Sequence, residues 1–162
     1  MKNPIRWSVV AALALCAGCS SFQKKWEAAG QPGKYAQASR WDGRWTSARH
    51  KDAAGAPEGG RLRCVIEPGP DREIFAHFRA NWQVFAANYD VTFSPKTPPR
   101  AAARDGGVVE FRGTHDLPKV FGGTYRYEGR MAGGRFSARY DSTYDSGKFE
   151  MTRQLTNATR IH

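Results

Sequence analysis

Residues 124–142 read TYRYEGRMAGGRFSARYDS. Tyr125, Tyr127, Gly129 and Met131 fall on one alternate set, and Arg126, Glu128 and Arg130 on the other. Ala132-Gly133-Gly134 then interrupts the pattern, which resumes with Phe136, Ala138 and Tyr140 against Arg135, Ser137 and Arg139. Successive side chains of a strand point to opposite faces, so a period of two with one apolar set describes a strand with one covered face. A Gly-Gly pair between two such runs suits a tight hairpin.

The same period extends outward in both directions, giving eight strands in all. The expected strands and covered sets are Trp41–Arg49 (Trp41, Gly43, Trp45, Ser47) and Arg61–Glu67 (Leu62, Cys64, Ile66). Next come Glu73–Ala80 (Ile74, Ala76, Phe78) and Val84–Phe93 (Phe85, Ala87, Tyr89, Val91, Phe93). Then follow Val108–Thr114 (Val109, Phe111, Gly113), Thr124–Met131, Arg135–Ser142 and Lys148–Leu155 (Phe149, Met151, Arg153, Leu155). Two connections, His50–Gly60 and Pro95–Gly107, read as long loops rich in Ala, Gly, Pro and charge. The pattern predicts an all-β, eight-stranded antiparallel up-and-down meander, closed into a barrel that leaves no sticky edges.

Such an interior is either filled by side chains or holds one small ligand. Trp45, Phe85, Tyr89, Phe111, Tyr127, Phe136 and Tyr140 are the candidate lining. Arg153 is the only long charged residue inside the body of a covered set, and a buried unpaired arginine would be very costly. In a closed meander the first and last strands are neighbours. Arg153 is therefore expected to cover the Trp45 indole and bond to carbonyls of the first strand.

Gly43-x-Trp45 near the start of the first strand, joined to Arg153 on the last, resembles the calycin signature shared by lipocalins, fatty-acid-binding proteins and avidins. The resemblance implies a lipocalin-like barrel that takes a small apolar or amphipathic ligand. It also implies that Trp45 closes the end opposite a mouth beside His50–Gly60 and His115–Gly123, a rim suited to a fatty acid. The second and third lipocalin motifs and the biotin-site pattern of avidins are not evident.

Ahead of the strands lies a different kind of sequence. Lys2 and Arg6 precede an apolar run from Trp7 to Leu15, the layout of a secretory signal peptide. Cys16 and Cys19 have C-x-x-C spacing, but no βαβ pattern and no second ligand pair accompany them, which argues against a redox or zinc site. Leu15-Cys16-Ala17-Gly18-Cys19 resembles instead the lipobox of bacterial lipoproteins. That resemblance implies cleavage before Cys19, acyl chains on Cys19, and, with Ser20 rather than Asp next, an outer-membrane address facing the periplasm. Two or three acyl chains anchor stably.

The chain then divides into a leader (1–18), a lipidated tether (19–39), the barrel (40–156) and a tail (157–162). Within the tether, Phe22, Trp26 and Ala29 are spaced for one or two turns of amphipathic helix that would lie on the membrane or cap the domain; a plain linker is the alternative. Loss of Lys2 and Arg6 lowers the formal charge from +10 to +8, a balance suited to an anionic membrane or envelope polymer, or simply to solubility. The membrane through the lipid anchor, a small amphipathic ligand and an envelope component are the expected partners. Nucleic acid is not expected, because the chain is exported and its aromatics fall on covered faces. No cofactor or metal is expected. The histidines read as surface residues and Cys64 as an inert buried thiol, so no catalytic residues are assigned and the protein is not read as an enzyme. A structural or interaction protein with a filled barrel is the alternative to the ligand-binding one.

Overall fold

The computed structural model describes residues 21–82, 86–96, 107–119 and 122–154. Its strands are β1 (Ser39–Lys51), β2 (Pro57–Pro68), β3 (Ile74–Asn81), β4 (Ala86–Pro95), β5 (Val109–Asp116), β6 (Thr124–Ala132), β7 (Arg135–Asp141) and β8 (Ser146–Gln154). They pair antiparallel in chain order, and β8 pairs back onto β1, so the barrel closes. The alternating sets fall as expected. Trp41, Trp45, Leu62, Cys64, Phe78, Phe93, Phe111, Tyr127, Phe136, Tyr140, Phe149 and Met151 are all buried in one core.

Closure brings β1 very near β8. A Cβ at Gly43 would collide with the Glu150 carbonyl, so only glycine permits that crossing. Gly129 is held in the same way against Ser137 and Ala138 of β7. The seam between β4 and β5 is the shortest, with register partners only from Thr92↔Thr114 to Pro95↔Phe111.

Three expectations are corrected. The His50–Gly60 connection is not a long loop: β1 runs to Lys51 and β2 begins at Pro57. The turn between them is held by Asp52, whose side chain accepts the backbone N–H groups of Ala54 and Ala56. Secondly, Arg153 does not reach Trp45. The register sets Trp45 opposite Phe149 and Trp41 opposite Arg153, and the Arg153 side chain is exposed. At the last turn of the wall the guanidinium reaches water, which removes the burial cost that called for a partner. Thirdly, Trp45 does not close the end opposite the β1–β2 turn. Its indole N–H donates to the Asn81 carbonyl at 3.0 Å, beside the β3–β4 connection and so toward the same end as that turn. Trp41 lies toward the other end, edge-on to Phe136.

Residues 21–28 form a helix, α1, that packs on the outside of the barrel. Phe22, Ala29 and Ala38 bury themselves against Val65, an outward-pointing residue of β2. Helical spacing places Phe22, Trp26 and Ala29 on one stripe, and that stripe finds the wall. A helix and not a plain linker is present, and it is seated on the outer wall of the barrel. Among the described residues, no helix is long and apolar enough to cross a membrane.

Candidate functional site

The lumen is crossed by phenylalanines. Phe78, Phe93, Phe111 and Phe136 are 0–1 % exposed. Phe93 and Phe111 have ring centroids 4.5 Å apart, Phe111 and Phe136 5.1 Å, and Phe78 and Phe136 6.3 Å. Strands β3 and β7 lie four strands apart either way round, so the Phe78–Phe136 contact spans the barrel. Edge-to-face and tilted pairs at these distances are favourable beyond their area burial. Trp41 continues the packing at one end, 6.2 Å from Phe136.

Toward the other end the aromatic rings are less covered. Trp82, Tyr89 and Tyr125 lie against the core but are only half-buried. Trp82 lies 5.1 Å from Trp45, Tyr89 5.8 Å from His115, and Tyr125 6.1 Å from Tyr140. Together they form a shallow aromatic cup above the packed core.

Beside the cup, a buried carboxylate joins β1, β7 and β8. Asp145 accepts the Ser47 hydroxyl at 2.7 Å, the Tyr140 hydroxyl at 2.8 Å and the Ser146 backbone N–H at 2.8 Å. Ser47 in turn accepts the backbone N–H groups of Arg49 and His50. Burial, then the bond to Asp145, pushes the Tyr140 hydroxyl well above the ordinary phenol range. Ser47, His50 and Asp145 are the residue types of a hydrolytic triad, but not its geometry. The serine donates directly to the aspartate, and the His50 Nε2 lies 3.2 Å from the Tyr144 carbonyl. A triad needs the histidine between the other two. This arrangement is a strut.

The outer wall holds a second polar cluster. His77 is buried beneath α1, not at the surface as expected from its outward register. Its Nδ1 lies 2.8 Å from Asp90 and its Nε2 2.6 Å from Glu67. Lys25 Nζ of α1 sits on the same ring, 2.8 and 3.1 Å from the two nitrogens. Burial by itself would lower the imidazole pKa. The hydrogen bonds to Asp90 and Glu67 override it and raise the pKa above the ordinary value, with Lys25 in opposition. The bond from His77 also holds Asp90 below its ordinary range. Two acids and two bases thus clamp the helix to β2, β3 and β4.

Of the expected lining residues, Phe111, Tyr127, Phe136 and Tyr140 are brought together in the core, and Tyr89 joins them at its edge. Phe85 and Cys19 lie outside the described residues. Gly43 serves the β1–β8 crossing, Trp45 floors the cup, and Arg153 takes part in neither. Cys64 is buried, and burial pushes its thiol well up, which suits an inert side chain. A hollow of about 1150 Å³ is bordered mainly by outward-pointing residues such as Thr46, Arg112, Arg126, Arg139 and Lys148. It therefore belongs chiefly to the wall and not to the lumen.

Sequence reasoning missed Trp82, Asp145 and the His77 clamp. Trp82 sits two residues past the expected third strand, on its covered parity, which was a usable signal. Asp145 read as a turn residue, and nothing in the spacing tells a turn aspartate that folds inward from one that faces water.

The chain matches no protein-family model, no curated protein and no solved structure.

Proposed function

We propose that the protein is a lipid-anchored, non-catalytic interaction module of the bacterial cell envelope, tethered through Cys19 and built around a filled barrel. The observation that supports the filled reading is the set of four phenylalanines meeting across the lumen, where a ligand would otherwise lie. The anchor is supported by the leader and lipobox-like stretch ending at Cys19, together with the helix that begins two residues later. With Ser20 after Cys19, the outer membrane, on its periplasmic side, is the proposed address.

A second reading rests on the half-buried ring of Trp82, Tyr89 and Tyr125. Here the cup takes the tail of a small amphipathic molecule such as a fatty acid, and only its apolar end is covered.

Labelled palmitate should enter the wild-type chain and not Cys19→Ser; incorporation into Cys19→Ser overturns the anchor. For the interior, delipidated protein is titrated with an environment-sensitive fatty-acid probe while tryptophan quenching is followed. The filled reading expects no saturable quenching at tens of micromolar probe. Saturable binding lost in Trp82→Ala would replace it with the cup.

A further inference from the structure

Four arginines stand together on the outer wall next to α1. Across the β1–β2 seam, Arg44 is the register partner of Arg61. Across the β2–β3 seam, Arg63 is the register partner of Arg79. Arg61 and Arg63 share one face of β2, so the four make a continuous cationic block. Like charges directly opposite each other on a sheet are destabilising. Two carboxylates border the block: Asp42, the register partner of Arg63, accepts a bidentate pair of bonds from Arg61 at 3.1 and 2.5 Å, and Glu150 is the register partner of Arg44 across the β1–β8 seam.

The other three arginines have no ion pair among the described residues. The pKa of Arg63 is lowered by burial and then by the charges of Arg61 and Arg79, with Asp42 in opposition, so Arg61, Arg63 and Arg79 feel one another. Arg79 bonds weakly to Asn88 at 3.5 Å and keeps a buried Nε without a hydrogen-bond partner. A cluster that is self-repelling and short of acceptors is complementary to a surface dense in anionic oxygens. Guanidinium groups pair with phosphate through two parallel bonds.

The position of the block indicates which anionic surface. Arg63 lies over the rings of Phe22 and Trp26, 5.6 and 5.2 Å from their centroids. Phe22 is the second residue of α1, and Cys19 precedes the first by two positions. Two residues span about 7 Å at full extension. A membrane anchor at Cys19 therefore cannot sit far from the start of a helix that is clamped to this wall. Lys24, exposed on α1, adds a further cation.

We propose that the wall formed by Arg44, Arg61, Arg63 and Arg79 docks on an anionic phospholipid surface, so that the barrel lies against the bilayer in a fixed orientation instead of hanging from a loose tether. The orientation rests on the anchor at Cys19; the charge recognition does not. Each arginine near an anionic bilayer surface contributes about five-fold in binding.

The test uses the full chain carrying Cys19→Ser, so that no acyl chain contributes. Binding is measured by flotation on phosphatidylcholine vesicles with and without phosphatidylglycerol. Residues 1–18 are common to every variant and contribute equally. Arg44→Gln/Arg61→Gln and Arg63→Gln/Arg79→Gln are compared with Arg112→Gln/Arg130→Gln, which removes two outward arginines from β5 and β6. Arg61 bonds Asp42 and Arg63 covers Phe22 and Trp26, so each test pair is first shown to be folded at the assay temperature by its melting curve; two are used so that one folded pair suffices. We expect the parent to prefer the anionic vesicles, with each test pair losing roughly 25-fold and the control pair far less. Three results overturn the proposal: equal binding to both vesicle types, an equal loss in the control pair, or displacement by millimolar inorganic phosphate, which would point to a site for a single free anion. Vesicle binding that fails in a chain whose wild type takes up palmitate rejects the docking wall and leaves the anchor standing.

Discussion

Arg153 faces Trp41 across the β8–β1 seam, and its guanidinium lies in water. Its backbone N–H donates to the Gly134 carbonyl at 2.8 Å, so the main chain, not the charge, ties this strand end. Arg153→Ala should therefore change stability by no more than about 0.5 kcal/mol. Trp41→Ala removes a buried ring that touches Phe136 and should cost about 3–5 kcal/mol. Urea melts of the two variants check this. A loss above 2 kcal/mol for Arg153→Ala would restore the stacked role that the calycin-like pattern implies.

The Asp145 strut gives a second test. Asp145→Ala leaves the Ser47 and Tyr140 hydroxyls and the Ser146 N–H without their acceptor. Each buried orphan costs about 1–3 kcal/mol, partly offset where water enters from the nearby barrel end, so a net loss of roughly 3 kcal/mol is expected. Asp145→Asn keeps one acceptor oxygen and should recover part of it. Ser47→Ala removes one of the three bonds to Asp145 and also the acceptor of the Arg49 and His50 N–H groups, so it should cost about as much as Asp145→Ala. Equal melting of Asp145→Ala and wild type would mean that the β7–β8 turn does not depend on this carboxylate.

The eight strands were legible because their period of two is unbroken wherever one face is covered. Periodicity states which face a residue points to, and it says nothing about what lies on that face. Val65 and His77 point outward, as their positions require, yet both are buried, because α1 lies over them. The stripe of Phe22, Trp26 and Ala29 was visible, but its seat was not, since no local pattern tells a membrane from a protein wall. Arg153 was misread because covered parity was extended past the point where the barrel ends and water begins. The β1–β2 turn was overestimated because Gly59 and Gly60 look like loop residues. In the barrel they are strand positions pressed against neighbours: a Cβ at Gly60 would strike the Asn81 carbonyl. The arginine block needs the register between strands, which single-strand reading does not supply.

The clamp on α1 should respond to pH on two sides. The His77 pKa is raised, so its contribution is complete below the ordinary value of 6.5 and is lost as pH rises through the folded value above it. Asp90 is lowered. Its contribution is complete above the ordinary 3.8 and is lost as pH falls through the folded value beneath it. The folded domain should thus be most stable between these limits; the bonds that raise His77 come from Glu67 of β2 and Asp90 of β4, and Lys25 of α1 opposes them. Trp26, stacked on Phe22 at 5.9 Å and covered by Arg63, reports it by fluorescence. His77→Gln should remove the alkaline limb and weaken the acid limb, because the bond from His77 is the largest cause that holds Asp90 low. An unchanged alkaline limb in His77→Gln would assign that transition to another group.

Phe136 offers the sharpest test of the filled interior. Its ring meets Trp41, Phe78, Phe93 and Phe111, so neighbours from several sides of the barrel depend on it. Phe136→Ala should cost about 3–5 kcal/mol, a large share of the roughly 5–15 kcal/mol that holds such a domain. If the variant stays folded, the space left is apolar and enclosed, the kind of cavity that remains dry and accepts benzene. Benzene or xenon should then raise the melting temperature of Phe136→Ala and leave wild type unchanged. Stabilisation of the wild type by the same ligand would mean that space already exists among the rings, and the barrel would have to be read as a binding protein. A packed lumen also predicts that Phe136→Leu loses less than half as much as Phe136→Ala, because the smaller deletion leaves a smaller void.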